Sequence, residues 1–225
     1  SFGLDISDES LKFIELISTK NGFRIGRHGE RNIPPGIVEA GKIKDPKQIE
    51  AILISLRKEE GLRSVRASLL EEQVYLFKLH LEKTGLLSIR ESIELALEEY
   101  IPISAPDTIF DYEIIKEDIQ SLELQVAAIS KNVIESYLNI FKNSKISVQS
   151  FELEPQAIYR AVVKKGDMDT YMIVDFGEKR TGIFIVSRGV VMFTSTLDVG
   201  GVMLNDMIAK NFKVFIENLL RVFYP

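Results

Sequence analysis

The sequence predicts an α/β or α+β fold, because strand-like and helix-like segments alternate along all 225 residues. Two further observations point the same way. The helix-like segments carry their own boundary residues, and the runs between them are rich in branched and aromatic side chains. Apolar residues make up 45% of the chain and charged residues 27%, a globular balance that sets aside collagen-like, low-complexity and fully disordered readings. A chain of this length buries roughly 70% of its unfolded surface, enough for one large domain or two small lobes.

The elements follow in order. A short apolar strand ends at Asp5, and a second strand covers 11–17 after a polar turn. Asp45-Pro46-Lys47-Gln48 supplies a capping carboxylate, a proline at the first helical position and a reciprocal side chain. Ile49, Ile52, Leu53 and Leu56 then repeat at helical spacing until Gly61. Strands are expected at 65–69 and 74–79, and Ser88 with Glu91 opens a helix that places Ile89, Ile93, Ala96, Leu97 and Tyr100 on one face before Pro102. Strands at 108–115 and 122–129 flank a loop at 116–121, and a helix from near Ser130 should bury Val133, Ile134, Tyr137, Leu138 and Phe141. Short helices follow Glu154-Pro155 and Gly200-Gly201. Between them lie strands at 171–174, 183–186 and 190–194, the last two turned by Arg188-Gly189, and the loop at 164–169 reads as a lobe boundary.

Composition excludes several functions. Twenty-eight basic against 33 acidic residues give a net charge of −5 with no basic stripe, so no nucleic-acid partner is expected. There is no cysteine, hence no disulfide framework, thiolate nucleophile or thiolate metal site. His28 and His80 stand apart without ligand clusters, and read as ordinary surface or strand residues. No apolar run reaches the roughly 18 residues of a membrane span, and no signal-peptide core is present, which makes the cytoplasm the expected compartment. Because the chain starts at Ser1 and enters a strand at once, the natural start is expected to be trimmed.

One internal echo carries chemistry. The segments from Asp5 to Ile14 and from Asp175 to Phe184 share a plan: an apolar strand ending in Asp, a tight polar turn with a hydroxyl, and a strand running back. Such turns present successive backbone N–H groups that can cradle an anion, and the two aspartates could hold a hydrated Mg²⁺ bridging phosphate oxygens, facing one another across a cleft. Lys12 could add a point charge. On spacing alone, two hairpins with polar tips remain the plainer reading.

The first turn, Phe2 to Lys12, resembles the first phosphate motif of the actin-like ATPase superfamily, and Ile173 to Thr181 resembles the second. Leu197-Asp198-Val199-Gly200-Gly201 is similar to the stretch that follows that second hairpin. Within the superfamily, Ile33-Pro34-Pro35-Gly36-Ile37-Val38, Gly41-Lys42-Ile43-Lys44-Asp45-Pro46, Glu98-Glu99-Tyr100-Ile101-Pro102 and Phe151-Glu152-Leu153-Glu154-Pro155-Gln156-Ala157 are similar in order to the PilM family of type IV pilus assembly proteins, relatives of FtsA. The resemblance implies an actin-like (ribonuclease H-like) α/β fold. Its first lobe would occupy 1–63, an inserted β-α-β-β subdomain 64–144, a return to the first lobe 145–168, and an incomplete second lobe 169–225.

It further implies an ATP-binding cytoplasmic scaffold of the pilus inner-membrane platform, with ATP and Mg²⁺ as cofactors and at most weak ATPase activity. The phosphate side would be held by Asp5, Ser7, Ser10, Lys12, Gly177, Thr181, Gly200 and Gly201, with Asp5 and Asp175 holding Mg²⁺ through water. The implied partner is the cytoplasmic tail of a PilN-type inner-membrane protein, docked between the first lobe and the insertion, together with other platform proteins; a homo-oligomer or ring is a further option. Localisation would be cytoplasmic and peripheral to the inner membrane.

Departures from the pattern raise further expectations. Asp8 and Glu9 occupy the first turn, where each carboxylate beside a triphosphate would repel it by about 1 kcal/mol or more unless turned away. Glu178, Lys179 and Arg180 replace small residues in the second turn. No Gly-rich adenosine motif follows Gly201, and an apolar helical segment at 215–223 suggests truncation or a break near Val214. No residue can be named to position an attacking water, with Glu154 and Gln156 left open. The alternatives are an FtsA-like membrane-tethered cell-division filament protein, a kinase of the same superfamily, and a pseudo-ATPase that binds partners without nucleotide.

Overall fold

The computed structural model describes residues 1–20, 22–83 and 85–212. They form two compact units that divide between Asp167 and Met168. The apolar segment at 215–223 and the break expected near Val214 lie outside the described residues.

The first unit is built on β1 (Phe2–Ile6), β2 (Ser10–Thr19) and β3 (Gly22–Asn32), an antiparallel meander. Phe2, Leu4 and Ile6 alternate onto one face of β1, as a half-buried strand requires, and meet Leu11 and Phe13 from β2. A small hairpin of β4 (Val38–Glu39) and β5 (Lys42–Ile43) leads into α1 (Pro46–Glu59). One oxygen of the Asp45 carboxylate accepts from the Lys47 and Gln48 backbone N–H groups at 3.1 and 3.3 Å, and the other from the Gln48 amide at 2.9 Å, so the expected cap is in place. Ile49, Leu53 and Leu56 are completely buried on the sheet.

Strand β6 (Ser64–Leu69) then pairs parallel to β1. The chain leaves the large sheet for β7 (Val74–Glu82), α2 (Ile89–Tyr100), β8 (Thr108–Glu117) and β9 (Ser121–Ser130), a three-stranded antiparallel sheet in the order β7-β9-β8 with a separate apolar cluster under α2. Ser88 and Glu91 close the expected capping box. The return runs through α3 (Lys131–Asn143), β10 (Ser147–Leu153) and α4 (Glu154–Val162). Strand β10 pairs parallel to β6, giving the large sheet the order β10-β6-β1-β2-β3. The small sheet with α2 therefore occupies 74–130; within the expected 64–144 span, β6 joins the large sheet and α3 packs on its core through Tyr137, Ile140 and Phe141.

Several local expectations change. Strands β3 and β10 were not expected. The first has three glycines and five charged or His side chains, the second few apolar residues, and both are sheet edges that need only one neighbour. The loop expected at 116–121 shrinks to the turn at 118–120 because the hairpin pairing continues to Glu117 and Leu122. Leu138, expected inside, stays 44% exposed, and Tyr100 keeps 45% exposure while stacking on Phe77 at 4.6 Å.

The second unit is a meander of β11 (Thr170–Phe176), β12 (Thr181–Ser187) and β13 (Val190–Leu197) followed by α5 (Gly201–Phe212). It repeats the first three strands of the first unit and the antiparallel order of their pairing.

Candidate phosphate turns and an adjoining groove

The echo seen in the sequence returns in the two hairpins as the same backbone turn bond and the same strand register. In the first, the Ser7 N–H donates to the Ser10 carbonyl at 2.9 Å; in the second, the Gly177 N–H donates to the Arg180 carbonyl at 2.8 Å. Both members shift by 170 positions. Asp5 lies opposite Lys12 in register and Asp175 opposite Gly182, again with the same offset. Each aspartate is thus the penultimate residue of its strand, at an equivalent position before the same turn bond.

In the first hairpin Asp5 is half-buried on the sheet face opposite the core, and the Ser68 hydroxyl of β6 donates to its Oδ1 at 2.5 Å. That contact orients the carboxylate, and a carboxylate oxygen is the donor type that suits a hydrated Mg²⁺. Lys12 is exposed beside it. The Ser7 hydroxyl donates to the Ser10 carbonyl at 3.1 Å and accepts from the Ser10 N–H at 3.2 Å, while Ser10 itself is buried. Ser7 thereby locks the turn with the group expected to meet a phosphate.

Asp8 resolves the charge expected against a phosphate. Its carboxylate leaves the turn and accepts from the backbone N–H groups of Ala40 at 3.0 Å and Gly41 at 3.3 Å, the two residues that turn β4 into β5. Both have positive φ, 49° at Ala40 and 73° at Gly41, the pattern of a type I′ turn. A left-handed alanine costs about 1 kcal/mol, and a Cβ at Gly41 would crowd Leu70 at 3.0 Å. Two charge-assisted bonds from Asp8 and one from the Gln73 amide to the Ala40 carbonyl hold this strained turn.

From the other side, the Tyr137 hydroxyl of α3 donates to the Gly41 carbonyl at 3.0 Å. Tyr137 is 1% exposed, and burial, reinforced by the charges of Asp5, Asp8 and Glu154, pushes its hydroxyl well above the usual tyrosine range. Of the two polar residues left open by the sequence, Gln156 is tied to Glu113 at 3.0 Å, whereas Glu154 shares the electrostatic surroundings of Tyr137 with Asp5 and Asp8. Ser68, Ala40 and Tyr137 were not singled out for the site by sequence reasoning, which read Asp8 only as a charge against phosphate unless turned away. Helical periodicity marked Tyr137 as buried but is blind to the partner of its hydroxyl.

In the second hairpin Asp175 is exposed. The Thr181 hydroxyl is buried and donates to the Val199 carbonyl at 2.6 Å. The Gly201 and Val202 N–H groups donate to the carbonyls of Gly177 and Glu178 at 3.0 and 2.9 Å, so the turn satisfies two of the orphan donors at the start of α5. Gly200 permits this approach, since a Cβ there would lie 2.5 Å from the Glu178 carbonyl oxygen. Arg180 pairs with Asp198 at 3.4 Å. Gly177, Thr181, Gly200 and Gly201 thus form one fixed turn-and-helix element. Among the described residues, no cluster of three or more His, Cys, Asp or Glu gathers as a direct metal cage.

A cavity of about 510 Å³ opens next to the first hairpin's supports. Lys42 comes from β5 and Lys44 from the residue after its end, Tyr75 and Ile103 from the small-sheet region, and Val133 and Tyr137 from α3. It combines apolar walls with two lysines and the carboxylate of Glu72, and Lys44 is paired with Glu39 at 3.7 Å.

A family model described as type IV pilus assembly protein PilM matches residues 3–219. Among solved structures, the PilM-PilN type IV pilus biogenesis complex is similar at 19% identity and a TM-score of 0.79, covering 99% of this chain and 68% of that one. The ethanolamine utilization protein EutJ from Carboxydothermus hydrogenoformans matches at 14% identity and a TM-score of 0.55, over 96% of this chain and 58% of that one. The cytoplasmic domain of EpsL, an inner membrane component of the type II secretion system of Vibrio cholerae, matches at 10% identity and a TM-score of 0.55, over 95% and 76%. The architecture is that of the actin-like ATPases.

Proposed function

Since the chain belongs to the PilM family of type IV pilus assembly proteins, we propose that it is an ATP-binding scaffold of the pilus assembly platform, docking the cytoplasmic tail of a PilN-type inner-membrane protein. The observation that carries the docking is the cavity between α3, β5 and the insertion, whose Tyr75, Ile103 and Val133 offer apolar anchoring and whose Lys42 suits a carbonyl-bearing group of an extended segment. Its relative of similar fold is a PilM-PilN complex. Placement beside the inner membrane would follow from that partner; among the described residues, no helix is long and apolar enough to cross a membrane.

The nucleotide reading rests on the shared plan of the two turns. In the first unit Asp5, oriented by Ser68, would hold Mg²⁺ through water and Lys12 would face a phosphate, and in the second Asp175 offers the same kind of oxygen ligand. Bound Mg²⁺ supplies charge neutralisation between phosphate oxygens. The internal bonding of Ser7, Thr181 and Gly201 favours a second reading, a partner-binding scaffold without nucleotide.

Fluorescence anisotropy with a labelled peptide of the PilN-type tail tests the docking. Tyr75→Ala, at a 38%-exposed wall residue, should weaken binding roughly tenfold or more. Equal affinity of parent and variant would remove the cavity as the docking place. Calorimetry with Mg-ATP separates the two nucleotide readings, because absent heat favours the second.

A further inference from the structure

The first phosphate turn and the groove share one strained element. Asp8 of the turn holds the Ala40 and Gly41 amides, the Gly41 carbonyl holds the Tyr137 hydroxyl, and Gly41 and Tyr137 both line the cavity. Ala40, a non-glycine residue at φ 49°, has an alternative right-handed conformation of lower intrinsic energy. The turn is therefore held in place by contacts and can relax when they weaken. Its carbonyls are pinned as well, at Ala40 by Gln73 and at Gly41 by Tyr137, and both of those side chains also line the cavity.

We infer that the β4–β5 turn couples nucleotide at the first hairpin to peptide in the groove, with Asp8 as the residue through which each site senses the other. The inference rests on the nucleotide and docking readings above. The sign follows from electrostatics. A phosphate arriving at the Ser7-to-Ser10 turn brings negative charge beside the Asp8 carboxylate and favours the arrangement in which that charge is already directed to two amide donors. This strengthens the hold on Ala40 and Gly41 and keeps the groove wall in the form that accepts Tyr137. Nucleotide and peptide should each tighten the other by the same factor, as linkage demands.

The test uses the full-length protein, the labelled tail peptide and Mg-ATP. Peptide affinity is measured by anisotropy without nucleotide and at saturating Mg-ATP, and nucleotide affinity by calorimetry with and without peptide. The expected result is a fivefold or larger gain in peptide affinity with Mg-ATP, about the lower end of typical coupling. Asp8→Asn, which keeps an acceptor but loses the charge, should bring the ratio below about twofold. Tyr137→Phe, which cuts the link at its other end, should do the same, and it keeps the test decisive if Asp8→Asn folds poorly. Each variant is judged by the ratio of its own two affinities. Independent binding of the two ligands to the parent protein overturns the inference while leaving docking and nucleotide binding intact, and undiminished coupling in both variants overturns this route. Failure of the peptide or of Mg-ATP to bind at all refutes the corresponding reading of function, and the coupling with it.

Discussion

Replacing Tyr137 by phenylalanine should destabilise the protein by an amount that depends on pH. The side chain is buried with one hydrogen bond, 3.0 Å to the Gly41 carbonyl. Deleting the hydroxyl removes that bond and leaves a buried carbonyl short of a partner, a loss of about 1–3 kcal/mol near neutral pH. The pH term comes from the raised ionisation of the folded-state hydroxyl, caused by burial first and by Asp5, Asp8 and Glu154 after it. A group whose folded value lies above its unfolded one, about 10 for tyrosine, contributes its full stability below pH 10 and loses it as pH rises further. At pH 11 the unfolded chain has released this proton and the folded chain has kept it, which costs the parent about 1.4 kcal/mol relative to pH 8. The variant has no such term. Urea denaturation followed by circular dichroism should therefore show the gap between parent and Tyr137→Phe narrowing by about 1.4 kcal/mol from pH 8 to pH 11. A gap that stays constant refutes the buried, neutral hydroxyl.

Three other outcomes are expected. Leu53→Ala empties a fully buried position between α1 and the large sheet and should cost about 2–5 kcal/mol in urea unfolding, with loss of more than that arguing for collapse of the unit rather than a cavity. Gly200→Ala forces a methyl against the Glu178 carbonyl and should release the start of α5. Hydrogen exchange at the Gly201 and Val202 amides should quicken by about tenfold or more, and unchanged protection would show that the helix start tolerates the methyl. Asp5→Asn should remove most of the Mg²⁺ dependence of ATP affinity in calorimetric titrations, and retention of that dependence would mean that Asp5 does not hold the ion.

The two matching hairpin turns were legible because their signal is local. Asp5 and Asp175 each close an apolar run, the hydroxyls follow within a few positions, and the same turn bond forms in both places. The capping of α1 and α2 was legible for the same reason, since Asp45 and Ser88 reach partners only two or three residues away. What escaped was contact at long separation. The Asp8 carboxylate finds its amides 32 and 33 residues on, and the Tyr137 hydroxyl finds its carbonyl 96 residues back. Periodicity places a side chain on a face; it carries no information about which atom waits there. Edge strands escaped for a different reason, because β3 and β10 each bury little and have little apolar pattern to show.

Asp8 illustrates how a residue that looks wrong in one context can be right in another. Beside a phosphate, an aspartate in the turn opposes binding by about 1 kcal/mol or more. Its carboxylate instead meets two N–H donors of a turn that contains a left-handed alanine, and without that partner the alanine would favour a different backbone conformation. A serine at position 8 is shorter and uncharged, so it could not bring a charged acceptor to both amides at once. If the turn takes a phosphate as proposed, the acid gives up some affinity there while it fixes the β4–β5 turn. That exchange is coherent with the proposed partner-holding role, in which occupancy of the first turn would serve as a signal and rapid turnover would not be required.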